Sequence, residues 1–149
     1  MERIFQWYPF LSTTEDLLLG RSSKLRCGSG YANYSIMTNG KIAPCPIMVG
    51  MADYYAGDIA SADPKTLPEI PIKEPCTSCD IYGFCGGRCL YSNIVRPWGD
   101  AYSEVCGTVR NLHDALTGAL PELRSMLAEG IISMESFSHT RYNGCEIIP

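Results

Sequence analysis

Four of the chain's eight cysteines fall within fourteen positions, Cys76-Thr77-Ser78-Cys79-Asp80-Ile81-Tyr82-Gly83-Phe84-Cys85-Gly86-Gly87-Arg88-Cys89, a C-x2-C-x5-C-x3-C run. A C-x2-C pair lets two sulfurs reach one centre from a single turn, a spacing shared by zinc and iron–sulfur sites. Gly83, Gly86 and Gly87 sit among the thiols, where backbone without side chains passes close to a bulky cluster and its N–H groups can donate to sulfur. Eight thiolates match two four-iron cubes, two zinc ions or four disulfides. The opening Met1-Glu2-Arg3-Ile4-Phe5-Gln6-Trp7 has no apolar secretory core, so a cytoplasmic location with reduced thiols is expected, and metal chemistry outranks disulfides. Structural zinc is commonly held by two separated pairs per ion, unlike this run, which favours iron–sulfur.

The remaining composition narrows the class. With 149 residues, 46% apolar and 19% charged, the chain suits one ordinary domain or a small domain with an appendage, and wholesale disorder is excluded. A net charge of −4 argues against a nucleic-acid partner. No apolar run approaches the roughly 18 residues that would span a bilayer, so no membrane partner is expected.

Three stretches are expected. Residues 1–26 form a connector: an aromatic run, then Ser12-Thr13-Thr14 as caps ahead of a short helix over Glu15–Leu19, closed by Gly20. Residues 27–106 hold seven cysteines. Within them, Tyr34 to Ala43 reads as a β-hairpin with Asn39-Gly40 in a type I′ turn. From Cys45 to Cys76, Pro46, Pro64, Pro68, Pro71 and Pro75 forbid a long regular element, and so long a loop needs a tether. Residues 107–149 carry Val109, Leu112, Leu116, Ala119, Leu123 and Leu127 at helical spacing. Pro121 is expected to divide this stripe into two helices, Gly130 to close the second, and Ile131–Pro149 to form a tail containing Cys145. The expected fold is a small, loop-rich α+β domain with a β-hairpin and C-terminal amphipathic helices, its cysteines ligating iron–sulfur.

Read in full, the cysteines give C-x12-G-x4-C (Cys27, Gly40, Cys45), a gap, the dense run from Cys76 to Cys89, a second gap, and Cys106. This pattern resembles the SPASM domain, the auxiliary-cluster domain of radical S-adenosylmethionine enzymes that modify peptides and proteins, over roughly residues 25–110. The resemblance implies two 4Fe–4S clusters. By position, Cys76, Cys79, Cys85 and Cys106 would hold one. Cys27, Cys45 and Cys89 would hold the other, with Cys145 a possible fourth ligand if the tail folds back. It further implies electron transfer or substrate binding by the clusters, and a peptide or protein substrate. The C-x3-C-x2-C motif that cleaves S-adenosylmethionine is absent, since Ser92 stands third after Cys85 and Cys89. S-adenosylmethionine would therefore enter only through a radical catalytic domain, fused or separate. The competing expectation is a zinc-binding interaction module without catalysis.

Lesser signals surround the thiols. Arg26, Arg88, Lys41 and Lys73 lie near ligands in sequence and are candidates to stabilise a reduced cluster. His113 and His139 are expected outside the site. Asp53, Asp58 and Asp63 suit turns, while Asp80, next to Cys79, could approach a substrate. Tyr31, Tyr34, Tyr54 and Tyr55 are expected to shield a cluster or form core.

Overall fold

Helices and a small antiparallel sheet share the chain in a computed structural model that describes residues 8–22, 27–95 and 102–138. The elements run α1 (Tyr8–Leu18), β1 (Ser35–Ile36), β2 (Lys41–Ala43), β3 (Gly57–Asp58), α2 (Tyr82–Cys85), α3 (Leu90–Val95) and α4 (Tyr102–Ala128), with 3-10 turns at Pro46–Met48, Ala52–Tyr54 and Met134–Phe137. This is a small α+β fold. Among the described residues no helix is long and apolar enough to cross a membrane.

The first helix starts earlier than its hydroxyl residues suggest. Thr13 and Thr14 lie inside α1 and donate to the Phe10 carbonyl at 3.1 and 2.7 Å. Satisfied within the helix, they tolerate burial rather than capping an end. Gly20 closes the helix in the left-handed conformation (φ +63°), with Arg21 N–H donating to the Asp16 carbonyl at 2.8 Å. Far from standing alone, α1 packs against α4, α2 and the Met134–Phe137 turn, with Leu11 and Phe137 buried.

The hairpin forms with a different turn from the one expected. Ser35 pairs with Ala43 and Ile36 with Ile42, leaving a loop in which Gly40 N–H donates to the Met37 carbonyl. Gly40 has φ +82°, but Asn39 is not left-handed, as both central residues of a type I′ turn must be. Instead the Asn39 Oδ1 accepts the Lys41 N–H at 3.1 Å. The chain returns as β3 on the other side of β2, pairing Lys41 with Asp58 and Ile42 with Gly57. A 3.2 Å ion pair joins Lys41 to Asp58 across the strands.

The proline-rich loop is tethered by hydrogen bonds. Ile70 N–H donates to the Gly30 carbonyl at 2.9 Å, and Tyr34 Oη to the Pro68 carbonyl at 3.0 Å. Buried Asn93 accepts the Lys73 N–H at 2.8 Å and donates to the Lys73 carbonyl at 3.0 Å. These fastenings bring Ile70 and Ile72 onto a core centred on Cys45, Met48 and Leu90.

Helix α4 runs through Pro121 without a break. An interior proline removes one N–H and crowds the carbonyl four residues back, costing about 3 kcal/mol. Leu116 and Leu120 are buried before it, and Leu123 and Leu127 half-buried after it. Each fully buried leucine contributes on the order of 2 kcal/mol, so packing on both sides outweighs the defect. The inner stripe is rotated from the expected one: it passes through Val109, His113, Leu116, Leu120, Leu123 and Leu127, leaving Leu112 and Ala119 exposed. Gly130 (φ +72°) closes the helix, and Ser133 and Ser136 cap the turn that follows.

Candidate metal centre

The segment bearing the dense run is a chain of tight turns. Cys76 N–H donates to Lys73, Cys79 N–H to Cys76 and Tyr82 N–H to Cys79, before one helical turn, α2, carries Cys85. The Glu74 carboxylate fixes the first turn by accepting from the hydroxyls of Thr77 and Ser78. Ile81 and Phe84 are buried and anchor the run in the interior. Phe84 meets the His113 ring edge-on at 5.1 Å, docking α2 on α4, the helix that carries Cys106.

After Cys85 the backbone is left-handed at three successive residues, Gly86 (φ 64°), Gly87 (φ 82°) and Arg88 (φ 55°). A side chain at Gly87 would come within 2.8 Å of Ile72 Cγ2, so glycine is required for packing as well as conformation. Arg88 is the one described non-glycine residue with positive φ, and its strain lies between two thiols.

This folding gathers Cys76, Cys79, Cys85, Cys89 and Cys106 around one cavity of about 430 Å³, walled also by Ile47, Ile81, Val105 and Val109. Burial pushes the Cys85 thiol up, the Gly87 N–H pulls it down, and Cys76, Cys106 and Cys79 raise it further. Cys106 is likewise raised, first by burial, then by Cys76 and Cys79, while Arg88 and Arg110 oppose. The second group centres on buried Cys45, whose thiol burial raises, backbone N–H groups of Ile47 and Met48 lower, and Cys89 and Cys27 raise. Cys27 donates to Ser29 Oγ at 3.3 Å. Tyr31 and Tyr54 pack against this group, whereas Tyr55 Oη accepts the Gly50 N–H at 2.9 Å. Cys89 and Ile47 therefore belong to the surroundings of both groups.

All seven described cysteines are free thiols. Among the described residues no three His, Cys, Asp or Glu side chains converge closely enough to hold one metal ion. Zinc–sulfur bonds of about 2.3 Å would draw four thiolates to within roughly 4 Å of one another. The five thiols that line this apolar cavity are donors of the kind that both zinc and iron–sulfur sites use. Cys145, His139 and Arg26 lie outside the described residues.

Other expectations near the site change. Lys41 is engaged by Asp58 on the sheet. Asp80 is clamped by Arg110, with Nη1 to Oδ2 at 2.8 Å and Nη2 to Oδ1 at 2.7 Å, and this guanidinium holds its carboxyl far below the usual range. Arg110 Nη2 also reaches Cys79 Sγ at 3.8 Å. Sequence reasoning passed over Arg110, although its place four residues after Cys106 puts it on the same helix face. His113 lies on the inner stripe, its Nδ1 2.9 Å from Asp114 Oδ1.

Comparison with protein-family models, curated proteins and solved structures returns no match for this chain.

Proposed function

We propose that this chain is a two-cluster iron–sulfur module that serves a radical S-adenosylmethionine enzyme acting on a peptide or protein. The observation that carries the reading is one cavity ringed by Cys76, Cys79, Cys85 and Cys106, residues as much as thirty positions apart in sequence. Cys27, Cys45 and Cys89 are the proposed ligands of a second centre. Four-iron clusters bound there would supply one-electron transfer and, where an iron lacks a thiolate, an open coordination position. The protein's part is to exclude water and to aim N–H donors at sulfur. Ile47 and Met48 serve Cys45 in this way, and Gly87 serves Cys85. Such donors stabilise a thiolate and the reduced form of whatever it ligates. Cys89 borders both groups, so an electron passing between the two centres would have a short route.

Anaerobic reconstitution tests this. Two cubes require about eight iron and eight acid-labile sulfide per chain, a brown colour and broad visible absorbance. Cys76→Ala and Cys85→Ala should each halve the iron, as should Cys45→Ala and Cys89→Ala, with the complementary centre retained. A colourless chain that takes up zinc alone would establish the interaction module instead, and loss of all iron in every variant would refute the partition. The wider role predicts a C-x3-C-x2-C motif encoded in the same reading frame or beside it. It also predicts loss of peptide modification in the Cys89→Ala variant of the assembled enzyme.

A further inference from the structure

We propose that Arg110 is a positioning residue whose charge, held against Cys79 by Asp80, sets the reduction potential of the centre ligated by Cys76, Cys79, Cys85 and Cys106. The inference rests on the iron–sulfur reading above and goes beyond it, to a residue outside the cysteine pattern. Arg110 grips Asp80 through two parallel hydrogen bonds of 2.7 and 2.8 Å, which fixes the plane of its guanidinium. In that pose Nη2 lies 3.8 Å from Cys79 Sγ, and Asp80 Oδ1 lies 3.5 Å from the same sulfur. One sulfur thus has a cation and an anion beside it, supplied by residues thirty positions apart in sequence.

Reduction makes a thiolate-ligated cluster one charge more negative. A cation at this range favours the reduced form, and a carboxylate opposes it. The two halves of the clamp therefore act in opposite senses on potential, although as a structural clamp they act together. That difference separates tuning from mere scaffolding. Both groups are largely exposed, so their effect is screened by salt.

The test is a redox titration, followed by electron paramagnetic resonance, of the full chain reconstituted anaerobically. Arg110→Gln keeps a good helix former in mid-helix and should lower the midpoint of this centre. Asp80→Asn keeps an acceptor for Arg110 but removes the negative charge, and should raise it. Arg110→Lys should stay nearer the wild type than Arg110→Gln, the Cys27/Cys45/Cys89 centre should not move, and high salt should shrink every shift. Midpoints that move in the same direction in both variants, or in neither, overturn the inference while leaving the cluster reading intact. A wild-type chain that takes up no iron and sulfide overturns both.

Discussion

Gly87→Ala tests how tightly the thiol-bearing turn is built. Gly87 has φ +82°, a conformation that costs an L-residue about 1–2 kcal/mol. Its new methyl would also stand 2.8 Å from Ile72 Cγ2 and 2.9 Å from Cγ1, contacts that must be relieved by moving a residue packed on the core. Overpacking of this kind costs about 1–3 kcal/mol, so the expected destabilisation is about 2–5 kcal/mol. Gly20→Ala is the internal reference. Its φ is +63° and nothing lies within 4 Å of the added carbon, so only the conformational part, about 1–2 kcal/mol, applies. Anaerobic urea unfolding followed by far-ultraviolet circular dichroism measures both. In a double-mutant cycle, Ile72→Ala should recover the steric part of the Gly87→Ala loss and leave the backbone strain. Equal losses for Gly87→Ala and Gly20→Ala, with additive behaviour in the cycle, would refute the argument that Ile72 presses on this turn.

Three more outcomes are expected. Asn93→Ala removes the buried amide that serves both Lys73 backbone groups and should cost roughly 2 kcal/mol. Protease sensitivity between residues 64 and 76 should rise with it, and an unchanged digestion pattern would contradict the tether. For Asp58, the Ala60 N–H and then Lys41 hold the carboxyl below its ordinary value of 3.8. A depressed folded-state pKa stabilises above the unfolded value and is lost as pH falls through the folded one. The stability gap between wild type and Asp58→Asn should therefore be full at pH 7 and close below about pH 4; a gap that widens in acid would reverse the sign. Finally, stripping iron from the reconstituted chain should collapse residues 27–106, because binding energy in such sites is folding energy. Circular dichroism and proteolysis unaffected by chelation would refute that coupling.

Much of the site's local chemistry was legible. Gly40 as a turn residue, Gly20 and Gly130 as helix ends, and Gly87 as a donor to sulfur all follow from what a glycine permits at a left-handed position. The core was harder to read. Met48, Ile70 and Ile72 come singly from turns and loops, and Leu90 from the first position of the six-residue helix α3, so no periodicity announces them. The threonines of α1 misled because a hydroxyl before a leucine run serves equally well as a cap or as a donor to the carbonyl one turn back. Pro121 does not divide α4 because local propensity gives way to packing: Leu116 and Leu120 are buried before it, and Leu123 and Leu127 half-buried after it.

The order of residues alone determines the spacing of the thiols, the hairpin between Cys27 and Cys45, and the amphipathic character of the last helix. These depend on neighbours within a few positions, where backbone geometry leaves few choices. What only the folded chain decided is the cavity that Cys106 shares with the dense run and the side chains that stand beside it. Docking of Phe84 on His113 brings Cys106 across to the dense run, and it places Arg110 beside Cys79. Contacts across thirty residues depend on how two surfaces pack, and no local rule of spacing contains that information.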